Sequence, residues 1–256
     1  MRVGLDIGSR LVKVAVTEDG LSYDRRLMPT ARFYEQAVDR SAGTEGGLRL
    51  LPEALGLPPR AAVVATGYGR NAAGLAGARV VNELSAHARG AAAQTGESRF
   101  VLVDFGGQDT KVISVLDGRI ADFATNDRCG ASSGRFVENM AAVLGVTLEE
   151  VGGTTAEAVA LSSTCGIFAE TEIVGLLAAG RPREELCAGV LLAVVRRTLP
   201  LLARMPQDKL FTSGGLAILP GLNRLLARES GREARPLPDP LFNGAIGCCN
   251  LACSKA

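Results

Sequence analysis

Two stretches of the chain show the same alternation of apolar runs and a polar turn. Residues 101–115 begin as an apolar run, break at an acidic, glycine-rich turn and resume as a second apolar run. Residues 3–16 follow the same course. Because an apolar run bounded by glycine is typical of a buried strand, each stretch predicts a β-hairpin whose polar residues lie in the turn.

The two predicted hairpins also share a sequence pattern. Both contain Asp-x-Gly-x-x-x-x-Lys-Val, and the matched pairs are Asp6 with Asp104, Gly8 with Gly106, and Lys13 with Lys111. A single acidic glycine turn is usually no more than a turn, but a duplicated one indicates two similar lobes. We therefore predict that both turns face one shared cleft and bind one polyphosphate.

The residue types in the turns favour a nucleotide as the ligand. Glycines let backbone N–H groups approach a phosphate, carboxylates hold hydrated Mg²⁺, and lysine offsets phosphate charge. We predict that Asp6 and Asp104 hold Mg²⁺ and that Lys13 and Lys111 neutralise the phosphates, unless strand alternation points either lysine to solvent. The predicted phosphate-binding residues are Gly8, Ser9, Gly106, Gly107 and Gln108.

The other apolar patterns predict a mixture of strands and helices. Strands are predicted at 61–66, 118–125 and 209–216, and helices at 80–93, 135–144, 167–177, from Pro182 onward and 242–253. Pro200 should end or kink the helix that begins at Pro182. Gly67, Gly69 and Ala72 fit a dinucleotide fingerprint, but the next acid, Glu83, comes too early and within a helix, which disfavours a Rossmann site.

Composition excludes several kinds of partner. The 256 residues carry a net charge of +1, with 4% aromatic residues and no long basic run, so nucleic acid is not an expected partner. No apolar stretch approaches the roughly 20 residues that span a bilayer, and residues 1–20 lack a signal-peptide pattern. We therefore expect a cytoplasmic protein without membrane contact. The single histidine, His87, excludes a histidine-rich metal site.

Two of the six cysteines stand just before predicted helices, each followed by a glycine: Cys129 and Cys165. A helix N-terminus stabilises a thiolate or an anionic cluster, and glycine lets N–H groups turn toward sulfur. Because two thiolates make half of the usual iron–sulfur ligand shell, a two-fold dimer would complete it on its axis. A competing iron–sulfur site remains open, formed by Cys187, Cys248, Cys249 and Cys253. Against this site, neighbouring cysteines on a helix point in different directions.

Seven motifs, spread in order over nearly the whole chain, resemble one family. They are Asp6-Ile-Gly-Ser9, Ala65-Thr-Gly-Tyr-Gly-Arg-Asn71, Asn82-Glu-Leu-Ser85, Asp104-Phe-Gly-Gly-Gln-Asp109, Asn126-Asp-Arg-Cys129, Ser162-Ser-Thr-Cys165 and Gly214-Gly215. Together they resemble the ATP-dependent activators of 2-hydroxyacyl-CoA dehydratases, a family that includes the ATPase subunits of benzoyl-CoA reductase. The chain departs from the usual motifs at Arg10 and Gly130.

The resemblance implies an α/β fold shared by actin, hexokinase and the heat-shock chaperones, with two ribonuclease-H-like lobes and a nucleotide cleft between them. Lobe I would comprise 1–97 plus 238–256, and lobe II 98–237. ATP and Mg²⁺ would be cofactors, with Gly214 and Gly215 beside the adenosine. Glu83 would orient the attacking water.

The resemblance further implies a homodimer with one [4Fe–4S] cluster held by Cys129 and Cys165 of both subunits. Electrons from ferredoxin or flavodoxin would pass through this cluster to a 2-hydroxyacyl-CoA dehydratase or a related reductase. Three alternatives remain open: the ATPase subunit of a benzoyl-CoA reductase-type complex, a cluster-free kinase of the same fold, and a nucleotide-dependent scaffold without turnover.

Overall fold

The computed structural model of the chain describes residues 1–39, 48–58, 61–67, 77–126, 133–162 and 165–252. The chain forms two compact units, each with its own sheet. The first consists of Met1–Ser98, Gly118–Ile120 and Leu241–Ala256, and the second of Arg99–Asp117 and Ala121–Pro240. Within the described ranges, no helix is long and apolar enough to cross a membrane.

The first unit is built on a five-stranded sheet, with strands numbered along the chain. Its strands are β1 (Arg2–Ile7), β2 (Leu11–Thr17), β3 (Asp24–Pro29), β6 (Val63–Thr66) and β7 (Ala78–Val80). Their order in the sheet is β3-β2-β1-β6-β7. β1, β2 and β3 pair antiparallel, whereas β6 is parallel to β1 and to β7. A separate ribbon contains β4 (Val38–Asp39) and β5 (Arg49–Leu50). The first predicted hairpin is confirmed.

The helices of the first unit are α1 (Thr30–Gln36), α2 (Glu83–Thr95) and α8 (Asn243–Leu251). Glycines let α2, α8 and β1 pack closely. A methyl group on Gly247 would collide with the Ala86 carbonyl, and one on Gly4 would collide with the Ala245 carbonyl. These contacts hold α8 against β1, the strand that carries Asp6.

The second unit repeats this strand order as β10-β9-β8-β11-β12. Its strands are β8 (Phe100–Phe105), β9 (Thr110–Leu116), β10 (Arg119–Thr125), β11 (Leu210–Gly214) and β12 (Ala234–Pro236). β8 pairs antiparallel with β9 and parallel with β11, as β1 does with β2 and β6. The second predicted hairpin is therefore also confirmed, and the duplication extends to a third strand.

The described residues of the second unit form five helices: α3 (Gly134–Leu144), α4 (Leu148–Gly153), α5 (Gly166–Ala178), α6 (Arg183–Leu202) and α7 (Pro220–Ser230). Their apolar faces and one face of the β8 sheet form a single large core. Phe105 of β8, Met140 of α3 and Ile173 of α5 are all buried in this core. The core thus fixes the helices that follow Cys129 and Cys165 against the sheet that carries Asp104.

The predicted start of one helix is wrong, and another helix ends shortly after the proline that was predicted to end or kink it. The segment predicted as helical from residue 80 begins in β7, and the helix starts only at Glu83, after the Asn82 side chain accepts hydrogen bonds from the N–H groups of Leu84 and Ser85. Pro200 lies inside α6, which continues to Leu202. Proline so close to a helix end removes only one of the last backbone bonds, so the helix stops soon after it without stopping at it.

Candidate functional site

The first turn brings a buried carboxylate and a lysine together. Asp6 and Lys13 are register partners across β1 and β2, and the Gly8 N–H closes the turn by donating to the Leu11 carbonyl at 3.2 Å. The Asp6 residue is only 5% exposed. Lys13 Nζ lies 3.3 Å from Asp6 Oδ2, so this lysine faces the turn and not solvent.

The second turn also places an aspartate and a lysine opposite each other on its two strands. Asp104 and Lys111 are register partners, and the Gly106 N–H donates to the Asp109 carbonyl at 2.9 Å. Lys111 is buried and places its Nζ 2.7 Å from Oδ1 of Asp109. Both lysines are therefore positioned to offset negative charge at their turns.

Carbonyl groups of both turns are held by the helix that follows. In the first unit, the Thr30 hydroxyl, at the start of α1, donates to the Gly8 carbonyl at 2.8 Å. In the second unit, the N–H of Gly134, at the start of α3, donates to the Gly106 carbonyl at 2.9 Å. The Arg135 N–H donates to the next carbonyl of that turn at 3.1 Å.

These bonds orient the N–H groups of the turns. No described peptide bond is cis, and a trans peptide points its C=O and N–H in opposite directions. Because the carbonyls of Gly106 and Gly107 bond to α3, the N–H groups of Gly107 and Gln108 point away from that helix. The same geometry directs the Ser9 N–H away from Thr30. Such aligned N–H groups are a usual arrangement for binding phosphate.

The Asp104 carboxylate is fixed by a residue from a distant strand. Ser213 lies in β11 opposite Asp104, and its hydroxyl donates to Asp104 Oδ1 at 2.7 Å. Asp104 is 2% exposed and Ser213 is fully buried. Sequence reasoning missed Ser213 because the parallel pairing of β8 with β11 joins segments that no local pattern connects.

In each unit, a glycine with positive φ lies at the end of the strand that pairs in parallel with the aspartate-bearing strand. Gly67 follows β6 with φ 98°, and Gly214 ends β11 with φ 87°. A Cβ atom on Gly67 would lie 2.5 Å from the Ile7 carbonyl oxygen, and one on Gly214 would collide with the Phe105 carbonyl. Gly67, which suggested a dinucleotide fingerprint, is thus the structural counterpart of Gly214. The rest of that fingerprint, including Gly69 and Ala72, lies outside the described residues.

The loop after Gly214 is held by a buried asparagine. Gly215 begins a short 3₁₀ turn, Gly215–Ile218. The Asn223 side chain of α7 donates to the carbonyls of Ala217 and Leu219 and accepts from the Thr212 hydroxyl at 2.7 Å. Asn223 therefore links the strand before the double glycine to the turn after it, which fixes the backbone at Gly214 and Gly215.

Glu83 lies in the first turn of α2, one helical turn before His87. Both face the same side of the helix because they are four residues apart. A Cβ atom built on Gly244 would lie 3.2 Å from His87 Nε2 and 3.0 Å from Asp6 Oδ2, so this side of α2 faces the Asp6 carboxylate. Asn243 holds the imidazole by a 3.3 Å contact to Nδ1.

The described cysteines fall into two environments. Cys165 is the residue before the first turn of α5, as predicted, and is partly exposed. Cys187, Cys248 and Cys249 are buried, and burial raises the pKa of all three thiols, that of Cys249 to about 12. Cys129 lies outside the described residues.

The competing cysteine site is not supported. The thiols of Cys248 and Cys249 donate to the carbonyls of Leu5 and Ala15, whereas Cys187 is buried in the core of the second unit. A metal ligand must be a thiolate, which these raised pKa values disfavour. Among the described residues, which do not include Cys253, no group of three or more His, Cys, Asp or Glu side chains could hold a metal ion.

Comparison with known proteins confirms the fold and the resemblance. In sequence, the chain is 34% identical to the (R)-2-hydroxyglutaryl-CoA dehydratase activating ATPase of Acidaminococcus fermentans, over 99% of this chain and 97% of the relative. It is 30% identical to one of the benzoyl-CoA reductase subunits of Thauera aromatica, over 64% of this chain and 62% of the relative.

In structure, the chain is similar to the activator of the 2-hydroxyisocaproyl-CoA dehydratase from Clostridium difficile with bound ADPNP. The TM-score is 0.84 at 32% identity, covering 98% of this chain and 93% of that one. The repeated sheets therefore form the ATPase fold of actin and hexokinase, as predicted. The family model for the BadF/BadG/BcrA/BcrD ATPases matches residues 3–252. The chain belongs to the BadF/BadG/BcrA/BcrD ATPase family.

Proposed function

We propose that this ATPase is an iron–sulfur activator that hydrolyses ATP to drive low-potential electrons into a partner enzyme of the 2-hydroxyacyl-CoA dehydratase type. The observation that carries the proposal is the pairing of two features in one chain. Each hairpin turn holds a buried aspartate and a lysine, and Cys165 lies at a helix start in the unit that contains the second turn. Relatives that are named as dehydratase activators and are 33–34% identical to this chain support the same function.

The geometry of the turns supports the nucleotide roles that we propose. Asp6 and Asp104 hold hydrated Mg²⁺, which offsets phosphate charge and aligns the terminal phosphate. The phosphates are bound by N–H groups of the two turns, with Lys13 and Lys111 as cations; the binding residues are Gly8, Ser9, Gly106, Gly107 and Gln108. Gly214 and Gly215 contact the adenosine, and Glu83 orients the attacking water.

One described cysteine supports the proposal of a [4Fe–4S] cluster shared by two chains. Cys165 is the residue before the first turn of a 13-residue helix and is partly exposed. The other three described cysteines are buried with raised pKa values and do not compete for iron. Cys129 and Cys165 from each of two subunits supply the four ligands. Such a cluster carries one electron at low potential.

The proposed partners follow from this chemistry. A homodimer is required because one chain supplies only half of the ligand shell. When bound, the cluster would pass electrons from a ferredoxin or flavodoxin to a 2-hydroxyacyl-CoA dehydratase. The 30% identity to a benzoyl-CoA reductase component supports a second candidate, an ATPase subunit of a reductase of that type. Co-purification from the native host distinguishes the two, since a reductase component remains bound to its complex and an activator does not.

Anaerobic purification tests the proposal. We expect a brown dimer with about four irons per two chains and ATPase activity that depends on Mg²⁺. Cys165→Ser should lose the iron, whereas Cys187→Ala, a change in the core of the same unit, should retain it. A colourless protein that phosphorylates a small molecule would instead identify a kinase, and a protein without ATP turnover would identify a scaffold.

A further inference from the structure

The only histidine in the sequence is buried and is held by a buried asparagine. His87 is 5% exposed, and Asn243, the first residue of α8, is 0% exposed. The Nδ2 atom of Asn243 donates to the His87 carbonyl at 3.0 Å and lies 3.3 Å from His87 Nδ1. Gln94 Nε2 donates to the Oδ1 atom of the same asparagine at 3.0 Å. A network between α2 and α8 thus fixes the imidazole.

These partners determine which ring nitrogen carries the proton. A backbone carbonyl only accepts hydrogen bonds, so the Asn243 atom that contacts the His87 carbonyl must be the amide nitrogen. The same nitrogen contacts Nδ1, which therefore accepts its second hydrogen. A ring nitrogen that accepts carries no proton of its own. The ring proton of His87 therefore lies on Nε2.

Two glycines allow this network to form beside Asp6. A Cβ atom on Gly90 of α2 would lie 2.5 Å from Asn243 Oδ1 and would collide with the backbone carbonyl of that asparagine. A Cβ atom on Gly244 of α8 would lie 3.2 Å from His87 Nε2 and 3.0 Å from Asp6 Oδ2. The proton-bearing nitrogen and the buried carboxylate therefore border one small space, which a side chain at position 244 would fill.

We propose that His87 is a positioning residue of the ATPase site, which orients the Asp6 carboxylate by donating its Nε2–H to it, directly or through one water. This rests on the proposed function, in which Asp6 holds hydrated Mg²⁺. Hydrogen bonds from outside a metal shell orient the ligands within it, and their loss weakens metal binding. Because Nε2 already carries a proton, His87 cannot act as a base on that side. Its role is donation, and Asn243 enforces it.

NMR measures the position of the ring proton directly, because a single histidine gives a single set of signals. The iron-free full chain is labelled with ¹⁵N-histidine and purified without a polyhistidine tag. A long-range ¹H–¹⁵N correlation spectrum then shows which ring nitrogen is protonated. We expect the proton on Nε2 in the wild type, and on Nδ1 in Asn243→Asp, whose ionised side chain only accepts. A proton on Nδ1 in the wild type would overturn the inference.

Titration calorimetry shows whether this donor acts on metal binding. The dissociation constant of ADP is measured in EDTA and in saturating Mg²⁺, and the ratio of the two reports the contribution of the metal. His87→Asn, whose shorter side chain does not reach the position of Nε2, should lower this ratio at least about fivefold. His87→Gln places an amide donor near that position and should keep the ratio within about twofold of the wild type. A histidine that only filled the core would change both constants alike.

The outcomes separate this inference from the proposed function. A wild-type ratio in His87→Asn, or an equal loss in His87→Asn and His87→Gln, would overturn the inference. If His87→Asn does not fold, Asn243→Asp replaces it, since moving the ring proton to Nδ1 should lower the same ratio while the imidazole remains.

Asp6→Asn is the control for the metal site itself. A wild-type ratio in this variant would remove the proposed metal role of Asp6 and the inference with it. A reduced ratio in Asp6→Asn beside a wild-type ratio in His87→Asn would overturn the inference alone. Because these measurements use the iron-free chain, a protein that never binds iron would remove the iron–sulfur activator and still decide the role of His87.

Discussion

At the residue scale, the carboxylates of both turns are held in place. Asp6 is paired with Lys13, and Asp104 accepts a hydrogen bond from the Ser213 hydroxyl. Both aspartates are buried. Because carboxylate oxygens are ligands that Mg²⁺ prefers, we expect both aspartates to contribute to the Mg²⁺ site.

Asp104→Asn tests this assignment. It preserves the shape of the side chain but removes the charge, so ATP turnover at saturating Mg²⁺ should fall by at least about 100-fold. The iron content and the visible spectrum of the cluster should not change, because the substitution lies outside the cysteine segments. Ser213→Ala, which removes one hydrogen bond to the carboxylate, should lose about tenfold. Wild-type turnover in Asp104→Asn would mean that the metal lies elsewhere.

Cys249 gives a stability prediction with a defined pH range. Burial raises the pKa of its thiol from 9.0 to about 12, so the unfolded chain releases this proton first as the pH rises. The folded state then holds more protons, and the free energy of unfolding falls between pH 9 and 12, by at most about 1.4 kcal/mol per pH unit. Cys249→Ala lacks this contribution. The free energy of unfolding in urea, measured for both proteins against pH, should therefore differ by a constant amount below about pH 8. Above about pH 9 the wild type should lose stability relative to Cys249→Ala. A difference that stays constant over the whole pH range would contradict the prediction.

Asn126 and Ser213 also show where prediction from sequence stops at the residue scale. The aspartates, glycines and lysines of the turns can be identified because a duplicated pattern exposes them, and register pairing shows that both lysines face their turns. The partners of these residues come from other segments, β11 for Asp104 and, for Thr110, the end of β10, where the Asn126 side chain accepts the Thr110 N–H. Their hydrogen bonds depend on tertiary pairing, which no local pattern encodes.

At the element scale, the predicted elements that are confirmed are the ones with strong apolar patterns. Both hairpins, α3, α5 and α8 are predicted from apolar runs or helical spacing. β3 escapes prediction because its six residues, mostly exposed and rich in arginine, have no apolar pattern and are held as a strand by pairing with β2. The short β7 and β12 at the opposite sheet edges escape it for a similar reason, since each has only three residues and depends on its neighbour.

Close packing of α2 and α8 gives a prediction at this scale. Gly247→Ala should destabilise the first unit by at least about 1–3 kcal/mol, because the added methyl group collides with the Ala86 backbone, which cannot move aside cheaply. Gly175→Ala is the matched control, since the helix position is open and alanine should stabilise α5 by about 0.5–1 kcal/mol. Thermal unfolding of the iron-free chains measures both. Equal changes in unfolding temperature for the two variants would contradict close packing of α2 against α8.

At the scale of the whole molecule, the proposed function depends on two chains sharing one cluster. Because each chain supplies half of the ligands, Cys129→Ser or Cys165→Ser should remove iron from both subunits and weaken their association. Analytical ultracentrifugation with iron analysis measures both effects, and Cys187→Ala is the control that should leave both unchanged. Full iron content in either serine variant would contradict the shared site and favour the remaining cysteines as ligands.

Energised electron transfer requires that the nucleotide change the energy of the electron on the cluster. A ligand shifts an equilibrium only by its differential affinity for the two states, so the Mg·ADPNP-bound and Mg·ADP-bound dimers must differ in reduction potential. An anaerobic redox titration of the cluster, followed by EPR in the two nucleotide states, measures this difference. We expect potentials that differ by on the order of 50 mV or more, since typical coupling energies exceed about 1 kcal/mol. Identical potentials in a dimer that hydrolyses ATP would contradict the proposed function.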